Sequence, residues 1–140
     1  MFMYKLPMKL LLASLAVSVM VTSFSVQQDN GLQESIKRGE QIYTANCVSC
    51  HMMGGEGIAG AFPPLAKSDY LLADPERAIH HTIHGVSGEI TVNGVTYNGV
   101  MPPQSHLSDE EVADVMNYIL NSWGNKGGPI TASQVKAKRS

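Results

Sequence analysis

Residues 47–51 read Cys47-Val48-Ser49-Cys50-His51, and this stretch holds both cysteines of the 140-residue chain. Two thiols separated by two residues can each form a thioether bond to a haem, and a histidine that follows at once can turn its imidazole towards the iron. The same spacing occurs in redox dithiols and in half of a zinc site, but a zinc site needs a second pair of ligands and the chain has no third cysteine. The motif therefore predicts one covalently attached haem c, held by Cys47 and Cys50, with His51 as an iron ligand.

Met101 is the best candidate in the sequence for the second iron ligand. It lies in the stretch Gly99-Val100-Met101-Pro102-Pro103, where two prolines restrict the backbone and hold a weakly binding thioether in place. The other methionines lie in the N-terminal segment, directly beside His51 or, for Met116, on the apolar stripe of a predicted helix. We expect His51 and Met101 to be the metal-binding pair.

Histidines offer the main alternative to Met101. His106 precedes the last predicted helix, and it or a histidine of the middle helix would give a bis-histidine haem. His80 and His84 are four residues apart, which suits a metal site, but they have no carboxylate partner at matching spacing, and a solvated helix face explains them as well. We therefore expect surface roles for these three histidines.

The N-terminus has the layout of a secretory signal. Lys5 and Lys9 precede an apolar stretch over residues 10–21, and small and polar residues follow, with a candidate cleavage site at residues 23–25. The apolar stretch is shorter than the roughly 20 residues of a spanning helix. We predict a signal peptide over residues 1–25, one domain over 26–125 and an extended or frayed tail over 126–140; an uncleaved membrane anchor is the alternative.

Charge excludes one class of partner. Removing residues 1–25 leaves eight basic and twelve acidic residues, so the formal net charge changes from −2 to −4. An acidic domain repels the phosphate backbone, and no nucleic-acid partner is expected.

Periodicity and capping signals predict three helices and one hairpin. The first helix spans about residues 33–47 and delivers the cysteine motif; the second spans Pro75 to His84 behind Asp74 as N-cap; the third begins after Ser108, which forms a capping box with Glu111. Asn-Gly at residues 93–94, between two β-branched runs, predicts a tight hairpin over residues 90–97. Four glycines within residues 54–60 predict a loop able to lie against a flat cofactor.

The order of these features resembles class I cytochrome c, over about residues 34–123. The resemblance implies an all-α cytochrome c fold of three to five helices around one haem, with a small β-hairpin insertion before the methionine loop. It implies that Gly39 allows the last helix to cross closely at Tyr118, with Tyr43 as a nearby aromatic residue. In Pro63-Pro64-Leu65, it implies that the Pro63 carbonyl orients His51 and that Leu65 packs on the haem.

The same resemblance implies a function without catalytic residues. A His/Met-ligated haem of this family transfers single electrons between respiratory partners, in the periplasm or on the outer side of the cytoplasmic membrane. Residues 62–66, 90–94 and 101–103 are similar to cytochrome domains associated with copper nitrite reductases, so a nitrite reductase, a terminal oxidase or a dehydrogenase is the expected partner. Two rival functions are a membrane-anchored haem subunit, which alone would imply membrane contact through the N-terminal segment, and a haem enzyme or sensor with an open iron site.

Overall fold

The computed structural model describes residues 31–140. The chain divides into two units, Met1–Gln33 and Glu34–Ser140. Only residues 31–33 of the first unit are described, and they are helical. The predicted signal peptide, residues 1–25, lies outside the described residues. Between residues 31 and 140, no helix combines the length and the apolar character that a membrane span requires.

Helices dominate the described part of the chain. In chain order the elements are α1 (31–46), α2 (Val48–His51), α3 (Asp69–Ala73), α4 (Pro75–His84), β1 (Val86–Val92), β2 (Val95–Met101), α5 (Asp109–Asn121) and α6 (Ala132–Ala137). The two strands form an antiparallel hairpin. The predicted all-α fold with a small hairpin before the methionine is confirmed, and the described residues contain one helix more than the upper end of the predicted range.

Capping residues place both ends of α4 and the start of α5 as predicted. The Asp74 carboxylate accepts a hydrogen bond from the Arg77 backbone N–H at 3.0 Å, proline occupies the first position of α4, and Gly85 ends the helix at a φ of +76°. Ser108 and Glu111 form the predicted capping box of α5. These termini follow from local chemistry, because the side chains satisfy backbone groups that a helix leaves without a partner.

The hairpin is longer than predicted, but its turn is the expected one. Asn93 and Gly94 both have positive φ, +50° and +76°, as a two-residue turn of this type requires. Pairing runs from Val92 opposite Val95 to Val86 opposite Met101. Proline follows Met101 and has no backbone N–H to donate to the hydrogen bonds between the strands, so β2 ends at the methionine.

Helices α1 and α5 cross in close contact at Gly39. A Cβ atom added there would lie 2.0 Å from the Asp114 carbonyl oxygen and 2.8 Å from the Tyr118 Cβ. The Asp114 carboxylate also accepts hydrogen bonds from Ser35 Oγ at 2.6 Å and from Arg38 Nε at 2.6 Å. The expected close crossing is confirmed, and a buried, fully hydrogen-bonded carboxylate fixes its position.

The core lies between α1, α4 and α5. Three aromatic rings pack together at the α1–α5 crossing: the Tyr43 centroid is 5.3 Å from that of Tyr118 and 5.1 Å from that of Trp123. The apolar stripe predicted for the last helix included Trp123, and its first five residues are buried on α5: Val112, Val115, Met116, Ile119 and Leu120. Trp123 lies beyond the end of α5 at Asn121 and packs against the core from the following turn.

The predicted extended or frayed conformation of the C-terminal tail is wrong for residues 132–137, which form α6. Thr131 and Gln134 make a capping box, the Val135 side chain is fully buried, and α6 packs on α5. Asn117 of α5 holds the approach to this helix: its Oδ1 accepts from the Ile130 N–H at 2.6 Å and its Nδ2 donates to the Ile130 carbonyl at 3.0 Å. Thr131-x-x-Gln134 was a readable signal, but a helix this short has no apolar stripe to support it.

We expect Val135→Ala to lower the free energy of unfolding by about 2 kcal/mol, because it removes two buried methyl groups and leaves a space between α6 and α5. Lys136→Ala is the matched control, since Lys136 is exposed on the same helix. Urea unfolding followed by circular dichroism measures both. Equal stability of the two variants would contradict the docking of α6 on the core.

Candidate functional site

The cysteine motif lies where α1 passes into α2. Cys47 follows α1 and acts as N-cap of α2, its N–H donating to the Tyr43 carbonyl at 2.8 Å. The His51 N–H donates to the Cys47 carbonyl at 3.0 Å, which closes one helical turn. Because of this turn, Cys47, Cys50 and His51 all lie on the wall of one internal cavity.

His51 is held in one orientation and one protonation state. Its Nδ1 lies 3.0 Å from the Pro63 carbonyl oxygen. A carbonyl can only accept, so Nδ1 carries the proton and Nε2 presents a lone pair. The ring is nearly buried, and burial lowers the pKa of His51 below its ordinary value, which keeps it neutral. A neutral imidazole fixed through its second nitrogen is the form that binds iron.

The glycine loop at residues 54–60 brings Pro63 to this position. The Gly57 N–H donates to the His51 carbonyl at 3.0 Å, and a Cβ on Gly57 would lie 2.3 Å from the Phe62 carbonyl oxygen. The flat group that Gly55 faces is the ring of Trp123, and residues 54–60 are not part of the cavity wall. The expectation that these glycines lie against a cofactor is wrong, because they serve close packing of the loop on the protein itself.

Leu65 is placed by the same loop and by a buried amide. Its N–H donates to the Gly55 carbonyl at 2.7 Å, and its own carbonyl accepts from Asn125 Nδ2 at 3.0 Å. Asn125 also accepts from the Lys67 N–H at 2.7 Å, so it ties the segment after Pro63 to the end of α5. Leu65 lies on the cavity wall and packs against the core.

The cavity is a slot with predominantly apolar walls, formed by α2, α4, α5, the hairpin and the segment after the glycine loop. Its apolar wall residues include Phe62, Leu65, Leu71, Ile90, Val92, Leu107, Val115, Met116 and Ile119. Among the described residues, no Lys, Arg, Asp or Glu lines it. Close-packed proteins do not leave a large apolar space of this kind between their core helices. A large apolar group bordered by two thiols and an imidazole fits the wall, and haem c meets each of these requirements.

Met101 lies on the wall of this cavity together with His51. The end of α4 packs tightly beside it: a Cβ on Gly85 would lie 2.6 Å from the Met101 carbonyl oxygen. The Gln104 N–H donates to the Thr82 carbonyl at 2.8 Å and attaches the chain beyond the two prolines to α4. The predicted stiff methionine loop is thus held at both ends.

Met116 also reaches the cavity wall, which the sequence did not show. It belongs to the buried stripe of α5, is 1% exposed, and its sulfur lies 3.9 Å from Thr82 Oγ1. Its role as a core residue is confirmed. It is nevertheless a second methionine beside the proposed haem site, and tests of Met101 need it as a control.

His81 is the one histidine of α4 that lines the cavity, and it was not among the predicted site residues. The 3.6-residue period places Ala78, His81 and Thr82 on one face, but attention to the His80/His84 spacing hid this signal. His80 and His84 are exposed, and no group of three metal-ligating side chains occurs in the described part of the chain. His106 is also exposed, faces Asn46 at 3.2 Å and does not line the cavity.

The Cys47 thiol lacks the electrostatics of a redox dithiol. Burial raises the pKa of the Cys47 thiol to about 11. Thiol–disulfide exchange requires a thiolate at neutral pH, and oxidoreductases therefore lower this pKa. The redox-dithiol interpretation of the motif is disfavoured by this burial.

Comparisons with known proteins agree with the geometry of the cavity. The family model for cytochrome c matches residues 36–123. The chain is 42% identical over 118 residues to cytochrome c-552 of Thermus thermophilus, covering 78% of this chain and 79% of the relative. It is 33% identical over 107 residues to cytochrome c6 of Cyanidioschyzon merolae, covering 76% and 91%.

A second group of relatives consists of larger proteins. The chain is 31% identical over 115 residues to the cytochrome c subunit of a quinone alcohol dehydrogenase from Gluconobacter oxydans, covering 72% of this chain. It spans only 22% of that subunit. This similarity therefore concerns one segment of a longer protein.

Proposed function

Because this chain belongs to the cytochrome c family and carries one covalently attached haem c, we propose that it shuttles single electrons between exported redox proteins, with His51 and Met101 as the two iron ligands. The observation that supports this assignment most directly is that both side chains line one apolar cavity that also holds Cys47 and Cys50. Its named relatives, cytochrome c-552 and cytochrome c6, are electron carriers and not enzymes.

When bound, haem c supplies a one-electron iron couple whose potential depends on its axial ligands. His51 is positioned for this before any ligand arrives, since the Pro63 carbonyl fixes its tautomer and ring plane. Met101 is held between β2 and the prolines, and a methionine ligand raises the potential relative to a second histidine. With both ligand positions provided by rigid elements, the iron can change oxidation state with little movement.

Pro63 and Leu65 support the site without donating a ligand. The Pro63 carbonyl accepts the His51 Nδ1 proton, which raises the basicity of the coordinating nitrogen. Leu65, on the cavity wall, is proposed to pack on the haem face and exclude water. Exclusion of water limits the solvent reorganisation that accompanies each electron transfer.

An exported dehydrogenase is the partner we favour as electron donor. Cytochrome c subunits of quinone alcohol dehydrogenase and gluconate 2-dehydrogenase are among the relatives, each 31% identical. The link to copper nitrite reductase expected from short motifs, and a terminal oxidase as acceptor, stay proposals. The dehydrogenase relatives also favour one alternative, a haem subunit anchored through an uncleaved N-terminus. Mass spectrometry of the N-terminus of the exported protein separates a free carrier from an anchored subunit.

We expect the purified holoprotein to cycle reversibly between two oxidation states, to resist binding of carbon monoxide and cyanide, and to show the weak far-red sulfur-to-iron charge-transfer band when oxidised. Stopped-flow mixing with a reduced dehydrogenase measures the transfer rate. An acidic carrier meeting a basic partner surface should transfer more slowly as salt rises from 0.01 M to 0.15 M, because screening weakens steering. Fast binding of small ligands by the native protein would instead establish an open iron site and refute the carrier.

A further inference from the structure

One basic side chain of the cavity wall, the imidazole of His81, has no role in the electron transfer proposed above. We propose that His81 takes up a proton when the iron is reduced, so that pH tunes the driving force of electron transfer. This inference rests on the proposed function and adds a residue that controls the same site. His81 is neither an iron ligand nor an attachment residue here.

The position of His81 follows from the face of α4 on which it lies. Ala78, His81 and Thr82 line the cavity, at the spacings that share one helix face, while His80 is exposed. The His81 ring is half-buried and stacks at 6.1 Å on Tyr70, another wall residue. The imidazole therefore shares a low-polarity space with the iron that His51 binds, where charges interact more strongly than in water.

The remaining ionisable groups of the wall cannot provide the proton site near neutral pH. Cys47 and Cys50 are consumed by the thioether bonds, and His51 binds the iron through the nitrogen that would accept a proton. Tyr70 and Tyr97, the other ionisable side chains of the wall, are phenols and not imidazoles. Among the described residues that line the cavity, His81 is the one side chain left whose charge can change in this range.

Charged neighbours on α4 and α3 act on His81 in opposite directions. The Arg77 guanidinium lies 3.7 Å from the centre of the Tyr70 ring, and the His80 ring centre is 6.2 Å from that of His81. Burial, followed by electrostatic interaction with His80 and with the Arg77 guanidinium, lowers the pKa of His81 below its ordinary value, and Asp74 opposes the shift. The neutral form is therefore favoured at neutral pH.

The other two helices that contact α4 bring no unpaired charge to His81. The α5 residues on the cavity wall, Val115, Met116 and Ile119, are uncharged. Directly after α6, the Lys138 ammonium pairs with Glu76 at 3.2 Å in the first turn of α4, and the Lys138 carbonyl oxygen lies 2.8 Å from His84 Nε2. The iron charge is therefore the large electrostatic change that His81 experiences during function.

The coupling between the oxidation state of the iron and the protonation of His81 has a fixed sign. Ferric iron carries one more positive charge than ferrous iron and disfavours an imidazolium beside it, so the pKa of His81 is lower in the oxidised protein. Between the two pKa values, one electron from the donor and one proton from solvent enter together, giving ferrous iron and protonated His81. The reduction potential then rises as pH falls, and it is flat above the higher and below the lower pKa. A full proton per electron corresponds to a tenfold change in the redox equilibrium per pH unit, about 59 mV.

The test is a potentiometric titration of the full-length holoprotein between pH 4.5 and 8.5, with His81→Gln and His106→Gln. Glutamine at position 81 keeps a polar side chain but never becomes charged. We expect the reduction potentials of the unmutated protein and of His106→Gln, an exposed control away from the cavity, to fall as pH rises. The reduction potential of His81→Gln should not change with pH and should equal, at every pH, the potential that the unmutated protein reaches at alkaline pH. The ring pKa of His81, followed by NMR in the unmutated ferrous and ferric proteins, should be lower in the ferric state.

Three results would overturn the inference: a potential of the native protein that does not change with pH, a slope that survives unchanged in His81→Gln, or equal His81 pKa values in both oxidation states. A surviving slope would assign the proton to a haem propionate. The NMR comparison needs no substitution, so it decides the matter even if His81→Gln fails to fold. If the far-red band and reversible cycling are intact, any of these results refutes only the His81 inference. Absence of the band or of reversible cycling in the native protein would instead refute the proposed function.

Discussion

Met101→Ala should abolish the far-red charge-transfer band of the oxidised protein, open the iron to added imidazole and cyanide, and lower the reduction potential. Without the Met101 thioether, the haem iron would have a weak or solvent ligand in its place, and the ferrous state would lose the stabilisation that a methionine ligand supplies. The potential should fall by on the order of hundreds of millivolts, within the roughly 0.8 V that axial ligands span. Absorption spectroscopy and redox titration measure both effects.

Met116→Leu is the matched control, because Met116 also lines the cavity but belongs to the buried stripe of α5. Leucine has nearly the same volume, so packing is preserved while the sulfur is removed. We expect this variant to keep the band and the potential of the native protein. A band that survives Met101→Ala and disappears in Met116→Leu would transfer the ligand role to Met116.

Gly39→Ala should lower the free energy of unfolding by about 3 kcal/mol or more, a large part of the stability of a small domain. The added methyl group would lie 2.0 Å from the Asp114 carbonyl oxygen, so α1 and α5 must move apart. Separation of the helices would also stretch the hydrogen bonds from Ser35 and Arg38 to the Asp114 carboxylate. Alanine's better helix propensity, worth about 1 kcal/mol, opposes only part of this loss.

Gly128→Ala provides the comparison, because a Cβ at Gly128 meets nothing within 4 Å. Guanidinium unfolding of both oxidised holoproteins gives the two stabilities, and only Gly39→Ala should shift the midpoint strongly. A stability of Gly39→Ala equal to that of Gly128→Ala would show that the crossing tolerates a side chain.

Local sequence signals predicted the elements whose ends depend on neighbouring residues. Asp74, Ser108 and the Asn93-Gly94 turn act within a few positions of themselves, and their predicted structures are confirmed. The same logic failed for α6, where a helix of six residues depends on the burial of Val135 against α5. The extent of the hairpin was also missed, because beyond residues 90–97 the strands pair largely through residues with low strand propensity, such as Gly88 opposite Gly99 and Glu89 opposite Asn98.

The candidate site also has one part that the sequence predicted and another that depends on the tertiary structure. Cys47, Cys50 and His51 lie within five residues, so the sequence by itself determined covalent haem attachment and predicted His51 as an iron ligand. The sequence also singled out Met101, but only the tertiary structure brought it to the same cavity as His51, together with Met116 and His81. The orientation of His51 likewise depends on the Pro63 carbonyl, twelve residues away, which the glycine loop carries into place. Covalent chemistry requires neighbours along the chain, whereas the cavity walls and the proposed proton site depend on which helix faces pack together, and that is decided by contacts between distant residues.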